Sequence, residues 1–123
     1  MADMEVALKD MMMLDGAVAA AVVDYGSGMP LGTLGGSKNF DIEVASAGNT
    51  EVVRAKLRTI EQLGLDQDID DVLITLGSQY HLIRPTRGRR VKGLFLYVAL
   101  DRARGNLALA RRRLEAIEEE LEV

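Results

Sequence analysis

Apolar residues run from Leu94 to Leu100 (LFLYVAL) with no alternation of polar and apolar positions. Such a run suits a strand buried on both faces, inside a sheet with cover above and below. It predicts a three-layer α/β/α sandwich. Asp101 then offers a capping carboxylate, and Leu107, Ala110, Leu114, Ile117 and Leu121 recur at steps of three and four, the spacing of one helical stripe. The stretch from Gly93 to Leu121 is therefore expected to be the centre of the domain.

The pattern before it predicts six further elements. Met4 to Leu14 combines good helix formers with Val6, Leu8, Met11, Met12 and Leu14, a short helix with a wide apolar face ended by Asp15-Gly16. Ala17 to Val23 (AVAAAVV) is a second interior strand, whose alanines let a helix approach closely. Asp24 to Gly28 carries turn chemistry, and a shorter strand returns over Met29 to Leu34. The longest helix spans Asp41 to Leu63, with Asn39 or Asp41 as N-cap and Gly64 at the position that favours left-handed backbone. Val53, Leu57, Ile60 and Leu63 form its apolar side. Its first half holds Ala45, Ser46, Ala47 and Gly48, and an interior glycine costs about 1 kcal/mol relative to alanine. Either the helix breaks at Gly48-Asn49 and Thr50 recaps it, or a second backbone approaches this small-residue face; the second is preferred. Val72 to Leu76 (VLITL) and Tyr80 to Arg84 read as strands, and Val91 is expected to begin the central one.

The 123 residues, 48% hydrophobic, suit one domain, 1–123. The absence of cysteine excludes disulfides, thiolate metal sites and a cysteine nucleophile, and fits a reducing, cytoplasmic setting. No apolar run approaches the ~18 residues of a membrane span, so no direct membrane insertion is expected. The net charge of −4 is unevenly spread: residues 84–113 hold ten Lys/Arg against one acid, Asp101, and the last ten residues hold five glutamates. With five aromatics in the chain, and Phe95 and Tyr97 in the interior strand, the basic block lacks interleaved stacking platforms. No nucleic-acid partner is expected; the block reads as a solvated rim able to meet an acidic protein surface.

Three stretches invite a chemical reading, and each departs from its motif. Gly26 to Gly36 followed by Ser37-Lys38 is glycine-rich, but a phosphate loop needs Gly-Lys-Ser/Thr at the helix start, and here the lysine precedes Asn39. A flexible hairpin and loop is the better reading. Asp66 to Asp71 opens like a calcium loop, yet Asp71 stands where that loop needs glycine and Gly77 where it needs glutamate, so these acids read as a solvated loop. His81, the single histidine, has no partner identifiable in its own strand, and no G-x-S-x-G motif accompanies it. No catalytic, cofactor-binding or metal-binding residue is assigned.

The order helix, strand, strand, helix, strand, strand, strand, helix, with the stretches AVAAAVVDYGSG, DDVLITLGSQYHLIRPT and LFLYVALDRARGNLALARRRL, resembles the Roadblock/LC7 family across nearly the whole chain. Its most specific parts are the hairpin ending in Ile83-Arg84-Pro85 and the closing Leu100-Asp101 with Asn106 to Arg111. The glycine-rich second hairpin departs from many members. The resemblance implies a five-stranded antiparallel sheet, with the long helix on one face and the terminal helices on the other. It also implies a homodimer formed by pairing the strand after the long helix with its counterpart while the long helices meet. Val72, Leu73, Ile74, Thr75 and Leu76 would be that edge, apolar and without the lysine or proline that blunts exposed edges, and Ala45 and Gly48 would let the helices approach. For function, it implies a non-enzymatic regulator or binding partner of a small Ras-like GTPase, as in bacterial stand-alone members, contacting it through Glu51, Arg54, Lys56 and Arg58. An adaptor or scaffold without a GTPase is the alternative, and an enzyme or small-ligand sensor the weakest reading.

Overall fold

The computed structural model describes residues 2–87 and 91–123. Its elements are α1 (Met4–Met12), β1 (Ala17–Asp24), β2 (Met29–Gly35), α2 (Ile42–Gln62), β3 (Val72–Thr75), β4 (Gln79–Pro85), β5 (Leu94–Asp101) and α3 (Leu107–Glu120). The five strands form one antiparallel sheet in the order β2-β1-β5-β4-β3. The unbroken apolar run thus lies at the centre, paired to β1 on one side and β4 on the other.

Two cores explain why β5 shows no alternation. Leu94, Leu96, Val98 and Leu100 point to one face, where they meet Ala7, Leu8 and Met11 of α1 and Ala110, Leu114 and Ile117 of α3. Phe95, Tyr97 and Ala99 point to the other, where they meet Ala21, Val23, Ile83 and Val53 of α2. Both sets lie within a strand of period two, so Leu94 through Leu100 are all buried. Each large side chain contributes about 1.5–3 kcal/mol on removal from water. The result is the expected three-layer sandwich, with α2 on one face and α1 and α3 on the other.

Local chemistry sets the element ends. Asp3 caps α1 by accepting from Val6 N at 3.0 Å. Of the two candidates for α2, Asp41 is the cap; its carboxylate accepts from the amides of Glu43 and Val44, and Gly64 follows the helix at φ +70°. Gly16, at φ +80°, ends the α1 connection where the chains cross closely: a Cβ there would lie 2.9 Å from Asp101 O and from Gly105 N.

Several expectations need correction. Asp101 does not cap α3: it closes β5, its carboxylate accepts from Ala103 N, and Asn106 caps the helix through Leu109 N. Five residues separate Asp101 from the first helical residue, Leu107, so only Asn106 reaches the free amides of the first turn. Val91 is buried but precedes the strand, because Gly93 at φ +78° turns the chain before Leu94. α1 ends at Met12, and Leu76 falls outside β3. α2 runs unbroken through Gly48; within the protomer nothing approaches a Cβ position at that glycine within 4 Å. Leu63, expected on the apolar side of α2, is exposed. Gly88, Arg89 and Arg90, part of the expected turn and basic block, lie outside the described residues.

Candidate self-association surface

Strand β3 is one edge of the sheet, and its register fixes which backbone groups are open. Leu76 N donates to Gln79 O across a tight turn, with Ile74 opposite His81 and Val72 opposite Ile83. Hydrogen-bonded and open pairs alternate along an antiparallel ladder, so Ile74 and Val72 direct their amides to β4 while Leu73 and Thr75 direct theirs outward. Nothing in Val72–Thr75 blunts this edge. The opposite edge differs: β2 carries Pro30, and its register slips between Val22 and Val23 of β1. Of the two edges, β3 is the one without a proline or a register slip.

Beside β3 the sheet is incompletely covered. α2 lies over β1 and β2, so Val72 and Ile74, on its face of the sheet, are only half-buried. Between helix and strand runs an apolar groove of about 450 Å³, lined by Val52, Ala55, Lys56 and Thr59 of α2 with Ile69, Asp71 and Val72. α2 buries Ser46, Asn49, Thr50 and Val53. Its outer side shows Val44, Ala47, Gly48 and Val52 to solvent, Leu63, Leu65 and Leu76 are also exposed, and Leu73 is exposed on the opposite face of the sheet. Ala45 is half-buried on the core, and Gly48 faces open space. Ala45 thus packs inward while Gly48 and the β3 edge are open, and the Leu76 carbonyl is already taken, since Arg102 Nη1 donates to it at 2.7 Å.

The four expected partner-binding residues divide. Glu51 and Arg54 form an ion pair at 3.6 Å, and Arg54 turns to the β1–β2 turn, where Nε donates to Tyr25 O at 2.7 Å and Nη2 to Gly26 O. Lys56 lines the groove, while Arg58 is exposed.

Sequence reasoning missed what holds β3 in place. Arg111 of α3 grips Asp71 with Nε to Oδ2 at 2.8 Å and Nη2 to Oδ1 at 3.2 Å. Arg87 pairs with Asp70, and Arg84 Nη1 donates to Asp70 O at 3.3 Å. Arg84 is itself buried against Glu118 of α3, Nε to Oε1 at 3.1 Å, both side chains under a tenth exposed. At the other end Arg102 stands over the Tyr80 ring, 5.2 Å from its centroid. Asp71 is thus drawn out of the solvated loop expected of these acids, Asp70 stays exposed while it pairs with Arg87, and Arg84, Arg87, Arg102 and Arg111 of the basic block each have a partner within the protomer. Partners 14 to 40 residues apart leave no local spacing signal.

His81 has partners that its own sequence neighbourhood hides. Nε2 donates to Gln79 Oε1 at 2.8 Å, so Nδ1 accepts from the Tyr97 hydroxyl at 3.2 Å, and the ring meets Phe40 and Tyr97 edge to face. Burial lowers its pKa from the ordinary histidine value. Burial also pushes the Tyr97 phenol up to about 12, against a smaller pull from the Asn49 amide. That amide lies buried beside the hydroxyl, its Nδ2 making no hydrogen bond of normal geometry. His81 is therefore held by the interior, away from the groove. The glycine-rich loop leads to an α2 terminus whose first amides the Asp41 carboxylate occupies. Among the described residues, no helix is long and apolar enough to cross a membrane.

No protein-family model and no curated protein matches the sequence. Solved structures do. A Roadblock/LC7 domain from Streptomyces avermitilis superposes with a TM-score of 0.79 at 13% identity, covering 96% of this chain and 93% of that one. MglB of Myxococcus xanthus gives 0.73 at 18% identity, with coverage of 94% and 78%. An MglB with a tetrameric arrangement gives 0.77 at 13% identity, with 94% and 82%. The chain has the Roadblock/LC7 fold over nearly its whole length, as the sequence pattern led one to expect.

Proposed function

We propose that this Roadblock/LC7-fold chain is a non-enzymatic homodimer, paired through β3, that binds and regulates a small Ras-like GTPase. The observation that carries the reading is the open edge at Leu73 and Thr75 beside the uncovered groove and the small-residue side of α2. Two-fold pairing would join two sheets into one and bring Gly48 of each α2 toward the other protomer. The partner surface is the resulting platform, including Glu51, Arg54, Lys56 and Arg58. Regulation needs no catalytic group: binding one nucleotide state more tightly shifts the partner's equilibrium by the difference in affinity, and tenfold corresponds to about 1.4 kcal/mol. The cysteine-free composition suits a cytoplasmic setting.

The test is a pull-down from source cytosol with this protein as bait, in excess GDP and in a non-hydrolysable GTP analogue, read by mass spectrometry. A small GTPase enriched in one nucleotide state is expected. Equal recovery of other proteins in both, with no GTPase among them, replaces the regulator by an adaptor that assembles cytoplasmic proteins.

A further inference from the structure

We propose that β3 is a preorganised docking strand whose readiness to pair with a second copy of this chain is set by two arginine clamps, Arg111 on Asp71 at its start and Arg102 on the Leu76 carbonyl at its end. The inference rests on the self-association reading above and deepens it.

β3 needs such help. It is four residues long, pairs only with β4, and follows a stretch, 65–71, without helix or strand. A strand of this kind frays, and a frayed edge must be ordered at the moment of binding, which weakens association. The clamps order it beforehand. Arg111 meets Asp71 with two parallel hydrogen bonds, the geometry in which an arginine–carboxylate pair is most directional. Asp71 is the residue immediately before Val72, and its side chain is 14% exposed. At the far end Arg102 does three things at once: Nη1 donates to Leu76 O, its own amide donates to Ser78 O at 3.0 Å, and its guanidinium covers Tyr80. Both arginines stand on elements fixed elsewhere, Arg111 on α3 and Arg102 in the turn that follows β5. Neither touches the outward amides of Leu73 and Thr75, so the clamps fix the strand and leave its pairing groups free. Because the Arg111 clamp is ionic and half-exposed, salt weakens it, and self-association falls as salt rises.

Wild type, Arg111→Gln and Arg102→Gln are compared by amide hydrogen exchange over residues 66–76 and by sedimentation equilibrium. Each variant should exchange faster there while β1 and β5 stay protected. The dimer dissociation constant should rise on the order of tenfold, because an exposed pair is worth a few-fold and a two-fold dimer holds two. Reversing the pair, Asp71→Arg with Arg111→Asp, should restore both readouts. Unchanged exchange, or faster exchange with an unchanged dissociation constant, overturns the proposal. Thr75→Pro separates the two readings. If it leaves the dimer intact, association through β3 is wrong and the clamp proposal falls with it; if it abolishes a dimer that the arginine variants leave untouched, only the clamps are refuted.

Discussion

The Tyr97 hydroxyl lies 3.2 Å from Nδ1 of His81, and Gln79 Oε1 lies 2.8 Å from the opposite ring nitrogen, so both nitrogens of the imidazole have a partner on β4 or β5. Burial lowers the folded pKa of His81 below its unfolded value of about 6.5. The neutral ring's contribution is complete above that unfolded value. As pH falls below it, the unfolded chain takes up the proton first and the contribution is lost, down through the lowered folded pKa. Between about pH 7.5 and about pH 5.0, either side of that unfolded value, the urea midpoint of the wild type should drop further than that of His81→Gln. Equal drops would remove His81 from the acid response.

Arg84 and Glu118 form a buried pair that joins β4 to α3. Removing one partner leaves the other charge buried alone, which typically costs about 3–5 kcal/mol. Arg84→Met and Glu118→Leu should each be severely destabilised in chemical denaturation. The double variant should recover most of the loss, since apolar replacement of both is often neutral. A double variant no better than the worse single one would assign the effect to packing.

Thr75 sends its amide outward, so proline there removes a pairing group from the edge and leaves the β4 ladder whole. Thr75→Pro should keep the protomer's thermal stability and yield a monomer in light scattering. The same change at Ile74 would break a bond to β4 and confuse the two effects. A Thr75→Pro dimer would move the interface away from β3.

A Cβ added at Gly48 would meet nothing within 4 Å beyond its own turn of helix, and the backbone there is ordinary helix. Gly48→Leu should therefore stabilise the isolated protomer by up to about 1 kcal/mol through helix propensity. It should also weaken the dimer by holding the two α2 helices apart. Tighter association on sedimentation would show that the small-residue side of α2 is not a contact between copies.

Much of the fold was legible because it rests on periodicity. The lack of alternation in Leu94 to Leu100 follows from cover on both faces, and the steps of three and four in α3 follow from cover on one. The α2 ends were legible from Asp41 and Gly64, whose roles depend on neighbours two or three residues away. Asp101 misled because a carboxylate before a helix resembles a cap, and only the Asp101-to-Gly105 turn places Asn106 at the helix start. The candidate surface was partly legible: an apolar strand without lysine or proline is a local property, and so is a patch of small residues.

The sequence by itself determined the order of the elements, the central strand with its two buried faces, and the edge strand's lack of blunting residues, because each depends on side chains within one turn or one strand. Only the tertiary structure decided that Leu73 and Thr75 carry the outward amides, that a groove separates α2 from β3, and that Arg84, Arg87, Arg102 and Arg111 find partners within the protomer. Those features come from strand register and from charges brought together across 14 to 40 residues, and a charge reads the same along the chain whether it meets water or a distant partner.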